Sequence, residues 1–331
     1  VSYSAGISAC EKGGEWQQAL RLLREVRDSS IELDVVSYSA GISACEKGGE
    51  WQQALLLVGE VCHSKLEPGA ITYNAGISAC GVGGQWQHAL ALLRELCALP
   101  GELREAKIGP TVISYNAGIS ACGQGGQWRQ ALSLLMELRE VEFEPTSISY
   151  CAGISACEKA EQWQRASLLL REMAQVRIKP CVVGYSAAVS ACEKAEQWQQ
   201  AMTLMSELLA EALELDAICY NVGIAACEKG LKWQEALSLL RELCEAKLEP
   251  NPISYNAGMT ACKTSGQWQQ VFLLLRELSE TSMEPDVISC SIGINVCEKE
   301  GKWQFALSLL GWLRKCTSLL YVTERNGEVR N

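Results

Sequence analysis

The chain of 331 residues lacks most of the residue combinations that mark an enzyme. It has two histidines, His63 and His88, and neither has an evident acid–base partner in the sequence. It contains no Walker A loop, no HExxH zinc-protease motif and no GxSxG elbow. We therefore predict that the chain is not an enzyme and that it uses no cofactor and no small-molecule substrate.

Long hydrophobic runs and an excess of positive charge are also lacking. Residues 69–93 carry no formal charge, but Asn74, Gln85 and Gln87 make them too polar for lipid, so no membrane association is predicted. The net charge is −10 and the isoelectric point is about 5.0, which is unfavourable for gripping phosphates. The chain starts at Val1 without a Met or a targeting segment, so we expect a fragment or a trimmed product.

Paired cysteines are absent, although the chain has 17 cysteines. No CxxC pair occurs, and two histidines are too few to complete zinc sites, so a metal centre is rejected. Nine of the cysteines recur at near-regular intervals: Cys10, Cys45, Cys80, Cys122, Cys157, Cys192, Cys227, Cys262 and Cys297. Such a column is typical of a small apolar residue packed against a helix, and free thiols in this number indicate a reducing compartment.

What the chain does contain is a repeat. The motif Tyr-Ser/Asn-Ala-Gly-Ile-Ser-Ala-Cys, followed by Trp-Gln and an Ala-Leu-x-Leu-Leu run, occurs nine times with variations. The repeats begin at Tyr3, Tyr38, Tyr73, Tyr115, Tyr150, Tyr185, Tyr220, Tyr255 and Cys290. Each step is 35 residues, except for 42 residues between Tyr73 and Tyr115, where we place an insertion near 99–108. A fixed period of this size predicts a solenoid, in which each repeat buries its apolar face against its neighbours.

The seventh repeat shows how the pattern folds. Small and apolar residues from Tyr220 to Lys229 fit a short helix, and residues 230–232 fit a turn. From Trp233 leucines recur at helical spacing, and Pro250 stops the second helix. The sequence therefore predicts an all-α solenoid of about nine helix–turn–helix repeats over residues 1–321, followed by a tail, 322–331.

This repeat resembles the pentatricopeptide repeat family in its 35-residue P-type form. The resemblance rests on the period, on Val/Ile-Ser-Tyr-Asn openings such as Ile113–Asn116, and on endings such as Met283–Asp286. The tetratricopeptide repeat, in contrast, has a 34-residue period and a Trp-Leu-Gly-Tyr pattern. The resemblance covers all nine units. It implies a right-handed superhelix that binds single-stranded RNA, with one base per repeat.

The family resemblance also implies which residues contact RNA. The first base selector follows the tyrosine, which gives Ser4, Ser39, Asn74, Asn116, Cys151, Ser186, Asn221, Asn256 and Ser291. The second selector follows the repeat's final proline or its equivalent, which gives Asp34, Gly69, Thr111, Thr146, Cys181, Asp216, Asn251, Asp286 and Tyr321. An apolar residue two before the tyrosine wedges against the base, which gives Val1, Val36, Ile71, Ile113, Ile148, Val183, Ile218, Ile253 and Ile288.

The chemistry of the selectors suits base recognition. An Asn amide offers a donor and an acceptor to a pyrimidine edge, whereas a Ser hydroxyl leaves room for a purine. Under the family's usual rule the predicted target is 5′-G-N-Y-Y-N-G-Y-U-N-3′. Repeats two, five and nine give N because Gly69, the Cys151–Cys181 pair and Tyr321 depart from the pattern. The alternative for the first selectors is helix capping, since Ser and Asn at a helix start satisfy free amides.

Charged columns complete the expected interface. The family places a phosphate-contacting lysine near the end of the first helix, which here gives Lys12, Lys47, Lys159, Lys194, Lys229 and Lys299. A glutamate precedes each of these lysines, so a solvated Glu-Lys turn is the alternative, and we expect a shallow salt dependence. An acidic column on the second helix is expected to face away from the RNA: Glu25, Glu60, Glu95, Glu137, Glu172, Glu207, Glu242 and Glu277.

The resemblance thus predicts a sequence-selective RNA-binding protein of organellar RNA metabolism, in a plastid or a mitochondrion. Its work would be RNA stabilisation, processing, editing or translation, with recruited RNA-processing proteins as further partners. Two alternatives stay open. One is a helical-repeat scaffold that binds a protein or peptide. The other is the binding half of a truncated RNA-processing enzyme, although the HxE and CxxC signatures of a deaminase and a nuclease domain are not found.

Overall fold

The computed structural model describes residues 2–28, 33–64, 66, 68–99, 109–141, 143–210, 215–246, 248, 250–280, 283 and 285–311. Four sequence predictions lie wholly or mostly outside these residues: the Val1 wedge, the Tyr321 selector, the tail 322–331 and the insertion 99–108, apart from Leu99. Within the described residues the chain forms helices and turns and no strand, which confirms the all-α prediction.

Two helices form each repeat, and we number them so that the first helix is odd and the second is even. The helices are α1 (Ser2–Gly13), α2 (Trp16–Asp28), α3 (Val35–Lys47), α4 (Trp51–His63), α5 (Ala70–Val82), α6 (Trp86–Cys97), α7 (Val112–Gln124), α8 (Trp128–Glu140), α9 (Ser147–Lys159), α10 (Trp163–Gln175), α11 (Val182–Lys194), α12 (Trp198–Ala210), α13 (Ala217–Lys229), α14 (Trp233–Glu245), α15 (Pro252–Thr264), α16 (Trp268–Glu280), α17 (Val287–Lys299) and α18 (303–311). The helices predicted for the seventh repeat are therefore confirmed as α13 and α14.

The chain divides into two compact bodies, and the boundary falls between Ala191 and Cys192, inside α11. In the first body α1, α3, α5, α7 and α9 each pack on the next in the series. The second helices α2, α4, α6 and α8 each pack against the first helix of their own repeat and that of the next. In the second body α13, α15 and α17 pack in the same order. This arrangement is a helical repeat solenoid; the right-handed superhelical path stays a prediction.

The cysteine column lies in the core of this stack. Eight of its members have at most 1% of their surface exposed, and Cys10 is half-buried. Burial raises the pKa of both Cys45 and Cys80 to about 11, so these thiols are protonated and unreactive at neutral pH. The predicted packing role is confirmed, and no cluster of metal-ligating side chains occurs among the described residues.

In the third and fourth repeats the tyrosine that opens the repeat connects the first helix to second helices. In the third repeat the Tyr73 hydroxyl donates a hydrogen bond to Glu95 Oε1 at 3.0 Å, and it lies 3.6 Å from the Sγ of Cys62 on the preceding second helix. Burial raises the pKa of Tyr73, and Glu95 adds to the shift. The Tyr115 hydroxyl donates to Glu137 Oε1 at 3.4 Å in the same way. The acidic column therefore holds the two helices of these repeats together, a role that the sequence analysis did not identify.

None of the described helices combines the length and the apolar character that a bilayer span requires.

Candidate nucleic-acid interface

The predicted wedge residues form an exposed apolar column on the first helices. Each is the second residue of its helix, with 59–74% of its surface exposed: Val36, Ile71, Ile113, Ile148, Val183, Ile218, Ile253 and Ile288. Apolar side chains with this exposure bury little surface in the core, so their uniform Val/Ile identity is not explained by packing. Within each body, such side chains, one per repeat, offer a surface for the faces of stacked bases.

The second selectors lie immediately before the first helix of the following repeat and act as its N-cap. The side chain of each polar member accepts a hydrogen bond from the backbone amide three residues later, at 2.7–3.4 Å: Asp34, Thr111, Thr146, Asp216, Asn251 and Asp286. Such a cap stabilises a helix by about 1 kcal/mol. Gly69 occupies the same position without a side chain.

The capping alternative for the first selectors is wrong. Where the structure describes the helix start, the first selector is the fifth residue of the helix, as Ser39 is in α3 and Asn256 is in α15. A side chain at this depth lies beyond the first-turn amides that a cap satisfies, so it is not the cap. Capping is done by the second selectors instead, so in this fold one column combines a structural role with a place beside the first selector.

A buried hydroxyl connects the two selectors of a repeat. In the eighth repeat the Ser289 Oγ lies 2.6 Å from Asn256 Oδ1 and 2.8 Å from Asp286 Oδ1. The Asn256 amide also donates to both Asp286 carboxylate oxygens at 3.2 Å. Burial alone would raise the pKa of Asp286, but the bonds from Ser289 and Asn256 hold it below its usual value. The carboxylate is therefore charged, and it orients the Asn256 amide.

Two other repeats have the same bridge. In the seventh repeat the Ser254 hydroxyl lies 2.6 Å from Asn221 Oδ1 and 2.9 Å from Asn251 Oδ1. In the first repeat the Ser37 hydroxyl donates to the carboxylate that caps α3, and its oxygen lies 3.0 Å from Ser4 Oγ. We call repeats one, seven and eight the closed repeats, because a serine hydroxyl bridges their two selectors.

The bridging serine is a site residue that the sequence analysis missed. It precedes the tyrosine of the following repeat, or Cys290 in the ninth repeat, and lies 33 residues after the selector that it contacts. Ser37, Ser254 and Ser289 are at most 2% exposed, which is unusual for serine. A small polar residue at this position in most repeats was the available signal, but only the stacked structure brings it to the preceding repeat's selector.

Repeats three and four lack the bridge, and we call them the open repeats. Their caps are threonines, and the serine at the bridging position forms a capping box, as Ser254 does, but leaves the oxygen of the preceding selector unbonded: Ser114 Oγ accepts from the Thr111 amide at 3.1 Å. Ser149 and Thr146 repeat this geometry. The Oδ1 atoms of the selectors Asn74 and Asn116 are consequently buried without a hydrogen-bond partner. A buried acceptor left without a donor costs about 1–3 kcal/mol.

The selector pairs of the remaining repeats are less regular. In the second repeat the Ser39 hydroxyl lies 2.9 Å from Thr72 Oγ1, and Gly69 adds no side chain. In the ninth repeat Ser291 is exposed, and its hydroxyl donates to the Val287 carbonyl at 2.6 Å.

Repeats five and six differ from each other in how their selectors are placed. In the fifth repeat the sulfurs of Cys151 and Cys181 are 3.0 Å apart. The selectors of the sixth repeat lie in different bodies. Ser186 is half-buried in the first body, and Asp216 caps α13 in the second.

The lysine column reaches back to the preceding repeat. The Lys47 amine donates to the Glu11 carbonyl at 3.0 Å and lies 3.5 Å from Glu11 Oε1. The Lys229 amine is 3.1 Å from the Glu193 carbonyl and 2.8 Å from Glu193 Oε1. The ion-pair partner is therefore the glutamate 36 residues earlier, and not the adjacent one that the sequence analysis considered.

The other lysines of the column are also at the surface. The Lys159 amine donates to Gln124 Oε1 at 3.2 Å, and Lys12, Lys194 and Lys299 are exposed. Ion pairs at the surface, such as that of Lys47 with Glu11, contribute little stability. The lysine amines can therefore exchange partners at small cost.

The fold is similar to those of solved helical-repeat proteins. The pentatricopeptide repeat protein PPR10 from maize aligns over 95% of this chain with 23% identity and a TM-score of 0.64; the chain spans 44% of that protein's length. A PPR10 variant in complex with an 18-nucleotide psaJ RNA element aligns over 95% of this chain and 55% of its own, with 17% identity and a TM-score of 0.46. Yeast Rmd9p in complex with a 16-nucleotide target RNA aligns over 92% of this chain and 87% of its own, with 9% identity and a TM-score of 0.42.

No curated protein matches the sequence. The sequence profile described as "Pentatricopeptide repeat domain" matches residues 21–82 and 133–195. A second profile, described as "PPR repeat", matches residues 1–31, 71–99 and 113–143. Together they cover residues 1–99 and 113–195, more than half of the chain. The resemblance drawn from the period and the motifs is thereby confirmed: the chain belongs to the pentatricopeptide repeat family.

Proposed function

We propose that the chain binds single-stranded RNA sequence-selectively, with one base per repeat, in the RNA metabolism of a plastid or a mitochondrion. The exposed wedge column carries this proposal, because repeats two to nine each present an exposed Val or Ile three residues before the first selector. Family membership supports the RNA partner and the organelle. The chain acts by masking or remodelling transcripts, with stabilisation, processing, editing or translation as the outcome, and any catalysis comes from recruited proteins.

Each column has one task in this proposal. The wedges pack against base faces, and base–aromatic stacking in comparable grooves contributes about 1–3 kcal/mol per base, which is an upper limit for an aliphatic side chain. The first selectors hydrogen-bond base edges, and the second selectors orient them, as Asp286 orients Asn256. The lysines approach the phosphates. Because Lys47 and Lys229 already pair with glutamates, RNA must compete with an internal anion, which predicts a shallow salt slope.

Selection from a random RNA pool with the purified chain, at two salt concentrations, tests the proposal directly. We expect recovery of a motif such as 5′-G-N-Y-Y-N-G-Y-U-N-3′. Exchanging the eighth selector, Asn256→Ser, should change the preferred base at one position and leave the others in place. A pool without enrichment, or a motif that Asn256→Ser leaves untouched, would contradict base reading.

A matched pair of apolar substitutions tests the wedge column separately. Ile71→Ala removes an exposed wedge on α5, and Leu56→Ala removes a similarly exposed apolar side chain on the second helix α4; the two residues are 74% and 61% exposed. Neither change should unfold the protein, because both side chains are largely in solvent. We expect Ile71→Ala to weaken binding of the selected RNA by roughly threefold to tenfold, at 1.4 kcal/mol per tenfold change. Leu56→Ala should leave the affinity unchanged.

The acidic net charge favours a second candidate, a scaffold that binds a protein or peptide. A scaffold of that kind would give no enriched RNA, and the selector substitutions would not change its affinity for its protein or peptide partner.

A further inference from the structure

The fifth repeat departs from the others at three connected positions. Both of its selectors are cysteines, Cys151 on α9 and Cys181 at the N-cap of α11. The position that holds the bridging serine elsewhere is Gly184. A Cβ atom at Gly184 would lie 3.2 Å from the Cys151 sulfur, which is tighter than an ordinary contact. The missing side chain therefore leaves the space that the Cys151 sulfur needs to reach its partner.

The two thiols are in contact and one of them can be reached from solvent. Their sulfurs are 3.0 Å apart, and both are free. A disulfide bond is about 2.05 Å long, so a small rotation of the two side chains brings the atoms to bonding distance. Cys151 is buried, whereas Cys181 is half-buried. A small oxidant can therefore attack Cys181 first, and Cys151 is placed to react next.

The surroundings of the pair favour this order. Burial alone would raise the pKa of Cys181, but hydrogen bonds from the Cys151 thiol and from the Gly184 and Val183 amides hold it below its usual value. A thiol at a helix N-terminus is stabilised as the thiolate by the same amides and by the helix dipole. Burial raises the pKa of Cys151 to about 12, so Cys151 keeps its proton and donates it toward Cys181.

We propose that Cys151 and Cys181 form a reversible disulfide that closes the base-reading position of the fifth repeat. Hydrogen peroxide is the two-electron oxidant. The Cys181 thiolate attacks one peroxide oxygen, the O–O bond breaks and hydroxide leaves, giving a sulfenic acid. The Cys151 sulfur then attacks the Cys181 sulfur, the S–O bond breaks, and water leaves with the thiol proton. Two thiols lose two electrons, and peroxide is reduced to water and hydroxide. A dithiol reverses the reaction by thiol–disulfide exchange.

Only the consequence for base reading rests on the proposed function. In the disulfide neither sulfur can donate a hydrogen to a base edge, and the two selector positions are held together. The fifth base would therefore lose its contact, while the wedge Ile148 and the selectors of the other repeats stay as they are.

Peptide mapping of the native chain after limiting hydrogen peroxide tests the bond itself. We expect a peptide linking Cys151 to Cys181, removed by dithiothreitol and absent from Cys181→Ser. Gly184→Ser is the sharper variant, because it keeps both cysteines and fills the space beside the Cys151 sulfur; the linked peptide should be lost there too. Cys244→Ser, which removes an exposed cysteine elsewhere, should leave the linked peptide in place. Recovery of Cys151 and Cys181 as separate thiols, or linked to other cysteines, would overturn the proposal.

RNA binding by the two redox forms tests the consequence, with the RNA selected by the reduced protein as the probe. We expect the oxidised form to bind it more weakly, and to lose any preference at the fifth base while keeping the others. Equal affinity and equal preference in the two forms would overturn the effect on base reading while the bond stands. A reduced protein that selects no RNA would overturn the proposed function, and the mapped disulfide would be unaffected by that result.

Discussion

The open and the closed repeats solve the same local problem with different consequences for the base selector. In the open repeats a threonine caps the next helix, its serine partner turns to that cap, and the Asn74 and Asn116 carbonyl oxygens stay without a donor. In closed repeats seven and eight, an asparagine or an aspartate caps the helix, and the serine reaches the preceding selector as well. The identity of the cap therefore decides whether the selector amide is held before RNA arrives.

This difference bears on specificity. The Asn256 amide is oriented by a carboxylate and a hydroxyl, and still has one N–H and one oxygen lone pair for a base. The amides of Asn74 and Asn116 have no such support on the oxygen side, and a ligand that donates a hydrogen there removes an unfavourable buried group. We expect closed repeats to discriminate between bases and open repeats to bind with less discrimination.

Removing the caps should give the largest difference between the two regions. Asp286→Ala removes the N-cap of α17 and both hydrogen bonds from the Asn256 amide nitrogen to the carboxylate. We therefore expect about 2–3 kcal/mol of local destabilisation. Thr111→Ala removes only the cap of α7 and its box, which costs about 1 kcal/mol. Hydrogen exchange of the amides at the start of α17 and of α7 measures the two losses locally, without assuming that a repeat array unfolds in one step. Equal losses at the two sites would show that the Asn256 contacts add nothing.

Removing the serine hydroxyl should sharpen the comparison. Ser289→Ala takes the donor away from the Asn256 oxygen, leaving a buried acceptor unpaired, with an expected cost of about 1–3 kcal/mol. Ser114→Ala leaves Asn74 as unsatisfied as before, and loses one bond to the Thr111 amide, with an expected cost of about 1 kcal/mol. The same exchange measurement applies, at the peptides containing Asn256 and Asn74. If Ser114→Ala speeds hydrogen exchange in the peptide containing Asn74 more than Ser289→Ala speeds it in the peptide containing Asn256, the bridge has no stabilising role.

Base preference should separate the same repeats once an RNA is selected. We expect replacement of the base at the eighth repeat by a purine to weaken binding about tenfold, which corresponds to about 1.4 kcal/mol. The same replacement at the third or fourth repeat should weaken binding only about twofold to threefold, because an unsupported amide can turn to suit either base edge. Titrations with singly substituted RNAs measure both effects. An equally strong base preference at the open and closed positions would show that selectivity does not depend on the serine bridge.

The sequence predicted those features that repeat within a column. The 35-residue period specified the helix pairs, and the uniform Val/Ile column before the tyrosine indicated side chains that the structure then placed in solvent, such as Ile148 at 70% exposure. The buried cysteine column was predicted for the same reason, because a small apolar residue that recurs at one helical position in every repeat indicates a packing role common to all repeats.

Contacts between columns of successive repeats could not be predicted in this way. The bond from Ser254 to Asn221 joins residues 33 apart, and the pair of Lys47 with Glu11 joins residues 36 apart. Neither separation is a multiple of the period, so comparing repeats position by position does not bring the partners together. The stacking of α13 on α15 and of α1 on α3 brings these partners together. Each residue of one first helix then lies beside a residue at a slightly different position along the next first helix.

Acid should weaken the aspartate caps and leave the threonine caps unchanged, and this is the smallest effect because Asp34 is exposed and Asp286 is only half-buried. The hydroxyl and amide of Ser37 lower the pKa of Asp34, and the pKa of Asp286 is lowered as well. A carboxyl whose pKa is lower in the folded state stabilises that state fully above its ordinary pKa of about 3.9, and the stabilisation is lost as the pH falls through the folded-state pKa.

Hydrogen exchange at the start of α17, compared between the wild type and Asp286→Asn from pH 6 to pH 3, isolates this contribution. Asparagine caps α15 at the corresponding position in this chain, so the variant keeps an acceptor that does not titrate. Protection in the wild type should fall relative to the variant below about pH 4. A difference that is constant over the whole pH range would mean that the charge of Asp286 contributes nothing to the closed repeat beyond what a neutral cap supplies.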